Sequence, residues 1–257
     1  MDNSRRNTFL FGLLILSIIG IFFLYENSDQ TIQIFGITLK KNSDLAFKEV
    51  KKIKKKRKII VLKKQIEILK NKRILLAGDS EAGSIVYEIQ KYAILNGHNL
   101  CRTIIWNSSS DMTYASCDTL KNNINRFKPE YIIFVIGLNQ VFQRNFDNSR
   151  DAISKIITEF KDIPYTWVGP ANWVKDHGIN DLYKENIDSG AFYFSGNLVL
   201  DRAEDGRHPS INGSKKWVDS ICYFLTNKAK HRIKMDKIDT SFKRPSLNIL
   251  NLTVKSN

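Results

Sequence analysis

From Arg73 onward, short apolar runs alternate with stretches of helical spacing, and this alternation restricts the fold more than any other property of the chain. The strand candidates are Arg73–Ala77, Leu100–Trp106, Tyr131–Ile136, Tyr165–Val168 and Ala191–Phe194. Between and after them lie helix candidates at Ala82–Asn96, Thr113–Phe127, Asp147–Lys161, a weaker one at Trp173–Ile187, and Gly213–Asn227. Runs this short and apolar suit strands buried on both faces, and an interleaved helix after each strand implies parallel crossovers. The spacing therefore predicts one three-layer α/β domain over residues 73–226, whose ligands would sit beyond the carboxyl ends of the strands.

Three strand-end or loop segments then stand out. The first run stops at Gly78 and is followed at once by Asp79, Ser80 and a helical segment, a geometry that lifts a hydroxyl to a helix N-terminus. The competing reading is that Asp79 or Ser80 only caps that helix. The third run ends in Gly137-Leu138-Asn139, and Asp205-Gly206-Arg207-His208-Pro209 precedes the last helix. Taken singly, an Asn after a strand or an Asp-Gly pair marks a turn, and a lone His beside Pro is usually structural. Together they supply the parts of nucleophilic acyl transfer. Ser80 would be the nucleophile and His208 the base that takes its proton. Asp205 would hold the imidazole's far nitrogen and fix its tautomer. The Asn139 amide and the Ser80 N–H would donate to the oxyanion.

In this order and at these positions, Gly78-Asp79-Ser80, Gly137-x-Asn139 and Asp205-x-x-His208-Pro209 resemble the SGNH, or GDSL-type, hydrolases. The resemblance covers residues 73–226. It implies a flavodoxin-like α/β/α sandwich with a five-stranded parallel sheet in the order 2-1-3-4-5, and ester chemistry that needs no metal or other cofactor. The sequence departs from the family pattern at one point. The glycine that would complete the oxyanion hole after the second strand is absent, since no glycine lies between Gly97 and Gly137. In its place runs Trp106-Asn107-Ser108-Ser109-Ser110-Asp111, where the N–H of Ser109 or Ser110 is the expected donor. Glu81 also replaces the residue usual after the Asp-Ser pair. Trp173, just past the fourth strand, is a candidate for substrate contact, against the plainer reading that it and Trp167 are packing residues. His98 and His177 have no partner pattern and receive no role.

The flanks carry most of the charge. Before residue 72 there are 15 Lys/Arg against 6 Asp/Glu, across 72–226 there are 17 against 18, and beyond there are 8 against 2. A nearly neutral central domain argues against nucleic acid as a partner. Residues 8–25 form an uncharged apolar run long enough to span a bilayer, with Arg5 and Arg6 before it and Glu26 and Asp29 after. The positive-inside rule puts the rest of the chain across the membrane, whether residues 1–25 are a retained anchor or a cleaved signal peptide. The anchor is favoured, because no small-x-small cleavage site follows. Residues 31–39 suggest a short strand or hairpin within a Lys-rich connector, 26–72. The tail, 227–257, lacks sustained periodicity and reads as disordered. Cys101, Cys117 and Cys222 show no zinc spacing, and a Cys101–Cys117 disulfide stays open.

The sequence thus predicts a single-pass, envelope-facing enzyme acting on an ester, with an O-acetyl group on a cell-envelope polysaccharide as the leading substrate. An O-acyltransferase would use the same residues. A non-catalytic envelope scaffold with this fold is the alternative from another class.

Overall fold

The computed structural model describes residues 16–17, 19–20, 32–34, 37–39, 50–59, 71–236, 243 and 245–254. The apolar run at 8–25 falls almost wholly outside these residues. Among the described residues, no helix is long and apolar enough to cross a membrane. The chain divides into two compact units, Met1–Lys63 and Lys64–Asn257. In the first, Ile32–Ile34 pairs antiparallel with Ile37–Leu39, and residues 50–59 are an exposed helix.

The second unit is α/β with a parallel sheet. In chain order it contains β1 (Arg73–Gly78), α1 (Ser80–Leu95), β2 (Asn99–Asn107), α2 (Asp111–Ala115), α3 (Thr119–Phe127), β3 (Tyr131–Val135) and α4 (Asp147–Phe160). There follow β4 (Tyr165–Val168), α5 (Ile179–Asn186), β5 (Phe192–Tyr193), α6 (Ile211–Asn227) and β6 (Ile249–Thr253). The sheet therefore has six strands rather than five, in the order 6-2-1-3-4-5.

The additional strand corrects the expectation for the tail. Residues 227–257 are not simply disordered: Ala229, Ile233 and Met235 are buried against the domain, and β6 pairs in parallel with β2 from Thr103 to Asn107. Its five residues are too few to register as a period in a basic segment. They are ordered by the free edge of β2, which would otherwise be an exposed row of unpaired amides and carbonyls. At the opposite edge, β5 is only two residues long.

Strand alternation builds two cores from the same runs. Ile74 and Leu76 of β1 face α1 and α6, where Ile85, Ile89, Trp217 and Ile221 are buried. Leu75 and Ala77 face the other way, toward Tyr114, Ile153 and Phe160 of α2 and α4. Because both faces are covered, β1 and β3 are apolar almost throughout and show no polar side.

Two helix expectations also shift. The run Thr113–Phe127 is two helices, broken at Ser116-Cys117-Asp118. There the Ser116 hydroxyl donates to the Thr113 carbonyl at 2.9 Å and competes with the helical ladder. The segment from Trp173 becomes helical only at Ile179, because the Asp176 carboxylate accepts from the N–H groups of Gly178, Ile179 and Asn180 and fixes the start. No disulfide forms: all three cysteines are free, with Cys101 and Cys222 buried.

Leu250 and Leu252 of β6 pack half-buried against the core. A chain ending at Pro245 is expected to lose roughly 2 kcal/mol of unfolding free energy, about 1 for each half-buried leucine. Urea denaturation checks this, and an unchanged midpoint would mean that the strand adds nothing to the domain.

Candidate active site

The turn after β1 is shaped by a contact that admits no side chain. A Cβ on Gly78 would lie 1.8 Å from the Val135 carbonyl oxygen, so only glycine lets β1 and β3 run this close. One residue on, the Asp79 N–H donates to that same carbonyl at 3.0 Å. The Tyr114 hydroxyl holds the Gly78 carbonyl at 2.8 Å.

Asp79 is the N-cap of α1 and more. One carboxylate oxygen accepts from the Glu81 N–H at 2.9 Å, and the other accepts from Gly137 and Leu138, both at 3.1 Å. Gly137 is at φ +124°, where a side chain would also strike Pro170. The carboxylate thus joins the turns after β1 and β3 and fixes Ser80 relative to Asn139. Asp79 is fully buried, and burial raises its pKa to about 6 against the pull of those three amides.

The three separated segments meet. The Ser80 hydroxyl lies 2.7 Å from His208 Nε2, and His208 Nδ1 lies 2.5 Å from Asp205 Oδ2. Asp205 also accepts, through Oδ1, from the N–H groups of Arg207 and His208. The hydrogen bond from His208 and then these two amides hold its carboxyl at about 2. The loop that presents His208 is closed on itself by the Arg202–Pro209 bridge and by the Ala203 N–H on the His208 carbonyl. Arg202 adds the outer tie, donating to the carbonyls of Ala171, Asn172 and Arg207.

Asn139 donates through Nδ2 to the Ser109 carbonyl at 2.9 Å, linking the loops after β2 and β3. A primary amide has two N–H groups, so one remains free. The N–H groups of Ser109 and Ser110, the expected donors, are already engaged. The Ser109 N–H is bonded to the Trp106 carbonyl, and the Ser110 N–H to Thr113 Oγ1 in a capping box. Ser108, one residue earlier, is placed differently. It lines the same cavity as Ser80 and Asn139, and its N–H has no partner among the described residues. Its φ is +60°, the left-handed conformation that glycine adopts without strain and that costs a serine on the order of 1 kcal/mol. Ser108 directly follows β2, which runs one residue past the end expected at Trp106, so the sequence alone does not single it out.

The cavity is about 510 Å³ and is also lined by Phe142, Trp173 and Arg207. Trp167, by contrast, is fully buried against Phe134 and Tyr183 and belongs to the core. His98 is an internal clamp between the Lys72 N–H and the Lys234 carbonyl, and His177 accepts from Arg144. Among the described residues, no group of His, Cys, Asp or Glu has the arrangement of a metal site. In comparisons with known proteins, the chain matches no family model and no curated protein.

Glu81 is the unexpected member of the site. It is fully buried beside Ser80, and neither carboxylate oxygen meets a donor at bonding distance. Burial first, then the Asp79 carboxyl, push its pKa well up, and the Arg202 charge and the nearby Ala171 amide only partly offset this. A group with a raised folded-state pKa stabilises the fold fully below its unfolded value, about 4.3 for Glu, and this contribution is lost as pH rises through the folded value. Glu81→Gln removes that dependence. Its stability relative to the native chain should therefore increase from pH 5 to pH 8, by at most about 1.4 kcal/mol per pH unit. Urea midpoints at the two pH values test this, and a relative stability that stays level between them would show that Glu81 is already ionised in the fold at pH 5.

Proposed function

We propose that the chain is a serine hydrolase of the SGNH type that cleaves an ester through an acyl-Ser80 intermediate. The observation that carries the reading is the Ser80–His208–Asp205 chain of hydrogen bonds, drawn from opposite ends of the domain and open to a cavity. The six-stranded sheet contains the flavodoxin-like order 2-1-3-4-5 with β6 added outside β2, which fits this reading.

The chemistry follows from the atoms present. His208 Nε2 accepts the Ser80 proton as Oγ attacks the carbonyl carbon, while Asp205 on Nδ1 balances the imidazolium that forms. Negative charge develops on the carbonyl oxygen. The N–H groups of Ser80 and Ser108 and the free N–H of Asn139 are its donors, with the positive end of α1 behind them. Collapse breaks the ester C–O bond, and the alcohol leaves with the proton from His208. Water, deprotonated by the same imidazole, then attacks the acyl-serine and releases the carboxylic acid. An acceptor hydroxyl in place of that water would make the reaction an acyl transfer, with no change in the protein's groups. No residue in this scheme calls for a metal or cofactor.

Ser80→Ala and His208→Ala should each lower kcat for hydrolysis of 4-nitrophenyl acetate by at least about 10³-fold and abolish labelling by a fluorophosphonate. Asn139→Ala should cost about 10²-fold in kcat with little change in KM, because its free N–H acts on the oxyanion. Absence of Ser80-dependent labelling in the native protein would leave a non-catalytic scaffold as the better description.

We also propose that residues 8–25 anchor the chain in a membrane with the domain on the outer side, near an envelope polysaccharide bearing O-acetyl esters. The uncharged run, the arginines before it and the acids after it support this orientation. Alkaline phosphatase fused after Asn257, which folds only outside the cytoplasm, should be active in a bacterial host, and inactivity would reverse the topology.

A further inference from the structure

The cavity beside Ser80 has one wall that the acyl-transfer chemistry leaves unused. Phe142 and Trp173 meet edge to face, with ring centroids 5.5 Å apart, and Phe142 stays 59% exposed although it is a large apolar side chain. Over the Trp173 ring lies the Arg207 guanidinium, 5.1 Å from its centroid. Arg207 is exposed, and its guanidinium forms no hydrogen bond or ion pair among the described residues. Asp205, two residues away, is committed to His208 and to two backbone amides.

This is an unusual position for an unpaired cation. Residues 72–226 carry 17 basic against 18 acidic side chains, so Arg207 is not part of a general basic surface of the domain. It sits next to the catalytic histidine, braced by an aromatic ring, with its N–H fork unspent. A guanidinium in that state pairs with a planar carboxylate or a phosphate through two parallel hydrogen bonds. The two aromatic rings beside it offer a flat apolar surface for a ring of the substrate.

We propose that Phe142, Trp173 and Arg207 form a subsite for a ring-bearing anionic group, so that the preferred esters carry a carboxylate or phosphate on the portion away from the scissile carbonyl. This assignment rests on the hydrolase reading for its kinetic test but not for its binding test. A charge-assisted pair of about 1.5–3 kcal/mol corresponds to roughly 10- to 100-fold in kcat/KM.

Three esters separate the possibilities: methyl 4-acetoxybenzoate, which is neutral, 4-acetoxybenzoate, and 4-acetoxyphenyl phosphate. The native protein should favour at least one anion over the neutral ester by about tenfold or more, and which one identifies the anion as carboxylate or phosphate. Arg207→Gln should reduce that ratio about tenfold, mainly through KM, and Arg207→Glu should invert it. Lys155→Gln, an exposed site on α4, removes the same net charge and should leave the ratio in place, which separates the subsite from the field of the whole protein. An equal ratio in Arg207→Gln and the native protein, or an equal loss in Lys155→Gln, overturns the proposal. If the native protein cleaves none of the three, the hydrolase reading fails first. The subsite is then decided by tryptophan fluorescence titration with 4-hydroxybenzoate, 4-hydroxyphenyl phosphate and methyl 4-hydroxybenzoate. An Arg207-dependent preference for an anion upholds it, and no preference ends it.

Discussion

The candidate site depends on one buried carboxylate. Asp79 accepts three backbone N–H groups from two turns, and no other described side chain bonds to both the strand-end turn that carries Ser80 and the one that carries Asn139. The arrangement costs desolvation, which shows in the raised pKa of the group. It returns geometry: the amides that would otherwise be orphaned at the ends of β1 and β3 are satisfied, and Ser80 is held at the first turn of α1. The cap and nucleophile readings of Asp79-Ser80 are therefore complementary. Asp79 caps, and because it caps, Ser80 stands where His208 can reach it.

What the sequence made legible follows the strength of local signals. The five strands of the core, the burial of β1 and β3 on both faces, and the approach of Ser80, Asn139, Asp205 and His208 all come from runs or motifs with strong local signatures. The elements that sequence reading missed are set by tertiary contact. β6 forms because β2 offers it an edge, and nothing in Ile249–Thr253 alone would order it. The break at Ser116 and the late start of α5 at Ile179 are decided by side chains bonding to nearby backbone, which periodicity does not see. The network in which Asp111 accepts from Gln140, Ser149 and Tyr183 joins four segments, and no spacing in the chain announces it.

The proposed oxyanion donors illustrate the same limit more sharply. Sequence points to the loop after β2 and cannot choose among its serines, because every one of them has an N–H. The choice is made by what each N–H already does. Ser109 and Ser110 spend theirs on the turn and on the cap of α2, while Ser108 lies in the left-handed region with its own N–H unclaimed among the described residues. A glycine would take that conformation freely, so a serine there is held by its surroundings. The strain is borne by the Asn139–Ser109 bond and the capping box, which over-determine the loop.

Charge is arranged with similar economy around the nucleophile. Three carboxyls lie close to Ser80, and their environments separate them. Asp205 is exposed, bonded by the imidazole and two amides, and held as an anion to about pH 2. Asp79 is buried but receives three amides, and Glu81 is buried with none. Asp205 is therefore the most firmly ionised of the three, and it meets His208 Nδ1, where an imidazolium would form. Glu81 follows Ser80 directly in the chain and is fully buried. Its burial without donors favours the neutral form there. Arg207, which forms no hydrogen bond or ion pair among the described residues, lies over the Trp173 ring in the same cavity. Under the proposed hydrolysis, selection of a charged substrate would fall to Arg207 and stabilisation of the transition state to the N–H groups of Ser80, Ser108 and Asn139, so the two tasks would rest on different residues.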